Sequence, residues 1–154
     1  MHSGQNIASA LQQNAVRRGA HPAIVEGKRT YTYDSLDQQV RQIADYLVTL
    51  GAGEGTLVGV CLKDSAEHLM INYAVARIGA IILPLDWRWT EAEIRNVCHY
   101  FEVTVLLMEA GTSLSDLPCI ETGAAWQAGG AGQSGSLPCA PGGSRPVVLS
   151  LSSG

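Results

Sequence analysis

The sequence has no apolar run approaching the roughly 20 residues that a membrane-spanning helix needs. Its longest, Ala80-Ile81-Ile82-Leu83 and Val103 to Met108, are far shorter, so no membrane span is expected. Basic excess is missing too. Lys and Arg number 10 against 14 Asp and Glu, a formal net charge of -4. Proteins that bind by neutralising phosphates concentrate cations on one face, so nucleic acids and anionic membranes are excluded as main partners. Met1 to Asn6 have neither a basic start nor an apolar core, which leaves no secretory signal to read and makes a soluble, cytoplasmic chain the expectation.

Two further absences exclude chemistry. Cys61, Cys98, Cys119 and Cys139 are widely spaced, with no Cys-x-x-Cys pair and no His at ligand spacing, so no metal site is expected. Cys61 and Cys98 lie inside apolar patterns and read as reduced, buried small hydrophobes. No Gly-x-Gly-x-x-Gly follows any apolar run, which removes nicotinamide-type hydride transfer. Asp86, at the end of such a run, is then structural and not a ribose ligand.

What is present is the material of one compact domain. The 154 residues are 46% hydrophobic and 16% charged, too short for two ordinary domains and too apolar for disorder. Ile7, Leu11 and Ala15 are spaced for a short amphipathic helix up to Arg18, with Asn6 as its cap. Ala23-Ile24-Val25 and Thr30 to Tyr33 flank Glu26-Gly27-Lys28-Arg29 and predict a β-hairpin. Leu36, Val40, Ile43, Leu47 and Leu50 predict a long amphipathic helix, capped by Thr32, led by Asp34 and stopped by Gly51.

The middle of the chain repeats one unit. Apolar runs begin at Leu57, Ala80 and Val103, an even spacing of about 23 residues, and show almost no alternation, as strands covered on both faces do. Between them lie helical patterns. One carries Leu69, Met70, Tyr73 and Ala74, with Asp64 and Glu67 read as its capping box. The other carries Ile94, Val97, Cys98 and Phe101, with Thr90 and Glu93 as its box. The fold class predicted is α/β, a parallel sheet with helices on both faces, preceded by a helix and a β-hairpin.

From Thr122 to Ser144 there is no charged residue, and seven of the chain's 17 glycines fall there, the composition of a loop or linker. Pro146 to Leu151 resumes a strand pattern, and Ser152-Ser153-Gly154 begins a small-residue turn. Such a turn after a buried strand lets backbone amides point at an anion without obstruction, so it is the candidate phosphate site.

Three stretches carry a family resemblance, and they come in the family's order. Thr30-Tyr31-Thr32-Tyr33-Asp34-Ser35-Leu36 is similar to a Thr-Tyr-x-Glu-Leu motif, with Ser35 in the place of Glu. Ala76 to Asp86 resembles Gly-Ala-x-x-x-Pro-Leu-Asn/Asp, continued by Trp87-Arg88-Trp89-Thr90 and Glu93-Ile94. Leu149 to Gly154 resembles the opening of a Ser/Thr/Gly-rich phosphate loop that runs on as Thr-Thr-Gly-x-Pro-Lys-Gly. Together they resemble the amino-terminal part of the adenylate-forming (AMP-binding) superfamily, which includes acyl-CoA synthetases, amino-acid adenylation domains and luciferases. The Trp87 to Thr90 stretch is most similar to carboxylic acid and fatty acid-CoA ligases.

The resemblance implies a flavodoxin-like subdomain and a two-step reaction in the complete enzyme. A carboxylate attacks the α-phosphate of ATP, releasing pyrophosphate, and the thiol of CoA then displaces AMP. ATP and Mg²⁺, a small-molecule carboxylic acid and CoA are the partners so implied. Ser152, Ser153 and Gly154 are the ATP-binding residues this chain would supply. No catalytic residue and no metal ligand is assigned to it, and the 154-residue chain alone is expected to be inactive. The implied organisation is a partial adenylation domain over 1–154, with the helix and hairpin in 1–35, β/α repeats in 36–121, the Gly-rich loop in 122–145, and the strand with the start of the phosphate loop in 146–154. Alternatives are a fragment of an amino-acid adenylation domain, or a stand-alone flavodoxin-like binding or interaction module.

The remaining candidates have plain readings. His68 and His99 fall in helices without a partner at i+4 and read as partly exposed polar positions. Glu91 and Glu93 suit a helix N-terminus by charge alone. Trp87 and Trp89 read as packing residues, against the core or a neighbouring domain. A strand at 146–151 that is central in the family's sheet would here leave apolar surface uncovered, so self-association is expected.

Overall fold

The computed structural model describes residues 6–112, 114–123 and 145–152. Helix α1 (Ile7–Arg18) leads into strands β1 (Pro22–Glu26) and β2 (Arg29–Thr32), which pair as an antiparallel hairpin. Helix α2 (Tyr33–Thr49) follows, then β3 (Leu57–Cys61), α3 (Ala66–Arg77), β4 (Ile81–Pro84), α4 (Glu91–Tyr100), β5 (Val105–Met108) and β6 (Cys119–Glu121). Strands β4, β3, β5 and β6 lie side by side in that order, and every pairing is parallel. The α/β sheet and the preceding helix and hairpin are as the sequence pattern led one to expect.

The unbroken apolar runs are explained by the two faces of this sheet. Val58, Val60, Ile82, Val105 and Leu107 point to one face, where Leu11 of α1, Leu36 to Leu47 of α2 and Met70 to Val75 of α3 cover them. Cys61, Leu83, Leu106 and Met108 point to the other, against Ile94 and Cys98 of α4. Alternate residues of each strand are therefore apolar on both sides. Gly59 sits mid-strand on the α4 face, where a Cβ would stand 3.0 Å from Leu106 Cδ1 and 3.4 Å from Val103 Cγ1.

Helix ends follow local chemistry. Asn6, Thr32 and Thr90 cap α1, α2 and α4 through their side-chain oxygens, and Thr90 with Glu93 completes a capping box. Ser35 donates its N–H to the Thr32 hydroxyl at 3.2 Å and its own hydroxyl to Thr32 O at 3.1 Å, a different bond from that of a capping-box Glu, which would accept from the Thr32 N–H. One cap differs from expectation. Ser65, not Asp64, caps α3, accepting from the His68 N–H at 3.1 Å. Asp64 stays in solvent, one residue too early for its carboxylate to reach the first free amides. Gly51 and Gly79 take the left-handed conformation after α2 and α3, and the following amides close the helix ends, Ala52 N–H to Leu47 O and Ala80 N–H to Val75 O, both at 3.1 Å.

The sequence did not announce β6, whose three residues are too short to carry a period. Pro146 to Leu151 departs from a full strand. It meets the sheet through a single parallel bridge, Val148 to Ile82, on the free side of β4. No helix among the described residues is long and apolar enough to cross a membrane.

Candidate functional site

In an open parallel sheet, ligands lie outside the carboxyl ends of the strands. Here β3 runs to β4 on one side and the chain then returns past it to β5 on the other, so the order reverses between β3 and β5. The backbone amides at this edge are already engaged by carboxylates. Lys63 N–H donates to Glu109 Oε1 at 2.9 Å, and Gly111 N–H donates to Glu121 Oε2 at 2.9 Å. An anion at the reversal point would have to displace Glu109.

Beyond β4 the edge is ordered by charge and stacking. The Arg88 guanidinium grips Asp86, Nε to Oδ1 at 2.9 Å and Nη2 to Oδ2 at 2.5 Å. The Arg88 side chain and N–H hold the Asp86 carboxyl well below the usual carboxylate range, at about 2. Asp86 is thus engaged locally by Arg88. Lys63 Nζ stands 4.9 Å from the centroid of Trp87, whose ring is about half exposed. Trp89 turns inward and packs beside α4. Cys61 donates its thiol to Asp86 O at 3.8 Å. Burial, then the nearby Asp86, pushes the Cys61 thiol up to about 11, and burial does the same for Cys98. Cys61, Cys98 and Cys119 are free thiols, and Cys139 lies outside the described residues.

The other side chains singled out in sequence stay apart from this edge or take structural parts. His99 Nε2 lies 3.6 Å from Asp116, which also receives Arg95 Nε at 2.7 Å. His68 has a partner four residues back, Asp64, at 3.9 Å. Glu91 and Glu93 occupy the first turn of α4.

The segment 145–152 lies alongside β4 on the side away from β3. Ile82 N–H donates to Val147 O and Leu149 N–H donates to Ile82 O, both at 2.8 Å. Val147 packs against the core shared by α1, α2 and α3, and Val148 to Ser152 are exposed. Continued at this register, Ser152 comes level with Asp86, just past the end of β4. Ser153 and Gly154 lie outside the described residues. Sequence reasoning missed the Lys63 to Glu109 bond and an ion pair between Arg145 and Glu54, because nothing in a single sequence links residues so far apart.

A model of the AMP-binding enzyme family matches residues 11–135. Phosphinothricin tripeptide synthetase PhsC of Streptomyces viridochromogenes is 29% identical over 105 residues, 68% of this chain and 10% of that protein. The chain spans a tenth or less of the first curated relatives it matches. Among solved structures, the anthranilate CoA ligase AuaEII in complex with anthranoyl-AMP superposes with a TM-score of 0.83 at 20% identity, over 100% of this chain and 32% of its own. The Mycobacterium tuberculosis fatty acyl CoA synthetase superposes with a TM-score of 0.82 at 22% identity, over 96% of this chain and 32% of its own. At those identities the superpositions establish the fold.

Proposed function

This chain belongs to the AMP-binding enzyme family, and from that premise we propose that it is the amino-terminal part of an ATP-dependent carboxylic acid-CoA ligase acting in the cytoplasm. In the complete enzyme a carboxylate attacks the α-phosphate of ATP, pyrophosphate leaves, and the CoA thiol displaces AMP from the acyl-adenylate. The chain's proposed contribution is a scaffold over 1–121 and the segment beside β4 that leads to Ser152; the Gly-rich stretch read between them lies mostly outside the described residues.

The observation that carries the reading is the pairing of Val147 and Leu149 with Ile82. Continued at that register, the segment brings Ser152 level with Asp86 at the carboxyl edge of the sheet, where the amides of Lys63 and Gly111 are taken by Glu109 and Glu121. Small residues at such a turn leave backbone N–H groups open to a polyphosphate. Charge neutralisation by oriented amides then needs no reorganisation during the reaction. Mg²⁺ on nucleotides is held mostly by phosphates and water with one or two carboxylates. Among the described residues no group of three or more His, Cys, Asp or Glu could hold a metal ion.

CoA as the acceptor rests on the Trp87-Arg88-Trp89-Thr90 stretch and on its resemblance to acid-CoA ligases. A second reading, transfer to the thiol of a carrier protein, is favoured by the match to a tripeptide synthetase. The test is acid-dependent exchange of labelled pyrophosphate into ATP by the complete enzyme. Ser152→Asp, which sets a carboxylate against the polyphosphate, is expected to raise the KM for ATP at least tenfold with the fold intact. An unchanged KM refutes the phosphate-loop role. Supplying CoA or a carrier protein to the acyl-adenylate separates the two acceptors.

A further inference from the structure

The segment 145–152 has a weakly determined register. Packing fixes little, because only Val147 reaches the core, and Val147, Val148 and Leu149 are three consecutive apolar residues of similar size. A slip by one or two places exchanges one for another. Each place of slip carries Ser152 about 3.3 Å along β4, more than the length of a hydrogen bond. Something outside the core must choose among these registers.

We propose that the ion pair between Arg145 and Glu54 is the register pin of this segment, and that both are positioning residues for Ser152. The anchor end is built for this. Glu54 sits on the turn Gly53 to Thr56, closed by Thr56 N–H to Gly53 O at 3.0 Å and by the Thr56 hydroxyl, which bonds Gly53 O and Gly53 N–H at 2.8 Å. That turn is tied to β4 by Gly55 N–H to Gly79 O at 3.0 Å and Ile81 N–H to Thr56 O at 2.8 Å. Glu54 is therefore a fixed mark at the amino end of β4. Arg145 reaches it from the start of the neighbouring segment, three residues before Val148. A slip toward either end draws the two charges apart and breaks the pair. Both side chains are partly exposed, so the bias is a few-fold in population, sufficient among registers that packing scarcely distinguishes.

The register claim stands on the pairing geometry; its consequence for phosphate placement rests on the function proposed above. The test uses isotope-labelled full chain without nucleotide, so its outcome is independent of ATP binding. The readouts are amide exchange at Leu149 and through-space cross-peaks between Ile82 and Val148. Glu54→Gln and Arg145→Gln are each expected to speed Leu149 exchange about two- to fivefold and weaken those cross-peaks, with exchange at Ile43 in α2 unchanged. Arg145→Lys, and the reversed pair Glu54→Arg with Arg145→Glu, are expected to restore the parent behaviour. Single variants that leave Leu149 exchange and the cross-peaks untouched, or a reversed pair that fails to restore them, overturn the proposal.

Discussion

Arg77 of α3 and Asp37 of α2 face each other inside the core, Nη1 to Oδ1 at 3.8 Å, with both side chains buried. Asp37 also holds Arg41, one turn along α2, at 2.6 Å. Asp45, a further turn along, has its carboxyl raised by burial against the opposing pull of Arg77 and Arg41. Two acids and two arginines thus balance across the α2 and α3 interface. Removing one member of a buried pair strands the other's charge. Arg77→Ala is expected to cost about 3 kcal/mol in urea-induced unfolding. A loss below about 1 kcal/mol would mean that Arg41 alone suffices for Asp37.

Gly59 leaves little room for a side chain, with a Cβ meeting Leu106 Cδ1 at 3.0 Å and Val103 Cγ1 at 3.4 Å. The α4 face of β3 closes over it with Leu106 and Val103, so Gly59→Ala forces those side chains to move. The expected cost is about 1–3 kcal/mol, as for other overpacked cores. Thermal unfolding of the variant measures it, and a neutral substitution would show the space above Gly59 to be more yielding than these contacts imply.

The Asp86 carboxyl is expected to titrate near 2 when followed by carbon NMR, and Arg88→Gln to bring it back toward the ordinary range of about 4. The sign is that of a depressed acid. Its stabilising effect is present above the unfolded value and is lost as pH falls through about 2. An unshifted midpoint in the parent chain would remove Arg88 as its partner.

Cys61 and Cys98 are expected to react slowly with iodoacetamide. With thiols pushed up to about 11, roughly one in a thousand is ionised at pH 8, whereas an ordinary free cysteine is ionised to about a quarter. Their neutral form favours the fold, so the stabilisation present below the ordinary thiol value is lost as pH rises toward 11. Rapid labelling of both in the folded chain would contradict their burial.

Val148, Leu149 and Leu151 are exposed apolar residues on one short segment, at 52%, 36% and 39%. Self-association and binding of a hydrophobic dye are expected consequences. Val148→Thr with Leu151→Thr should reduce both, as read by light scattering and dye fluorescence. A parent chain that stays monodisperse and dark would contradict this.

Most of the scaffold was legible because its signals are periodic. The runs at Leu57, Ala80 and Val103 repeat evenly, and the stripe Leu36 to Leu47 repeats every three or four residues. Caps were legible where side chain and spacing agree, as at Thr90 and Glu93. They misled at Asp64, because two adjacent residues both suit the role and only backbone geometry chooses Ser65. β6 has three residues and no room for a pattern. Of the candidate site, Ser152 was nameable from its small-residue context, whereas the carboxylates that occupy the Lys63 and Gly111 amides, and the Arg145 to Glu54 pair, join distant parts of the chain by folding alone.

The most direct test of the central claim is pyrophosphate release by the purified 154-residue chain given ATP, Mg²⁺ and a panel of carboxylic acids. With only a scaffold and the proposed start of a phosphate loop, the chain is expected to give no release above the protein-free blank. Acid-dependent release that survives repurification and disappears in a Ser152→Asp variant would contradict this expectation, for the chain would then hold a complete adenylating site.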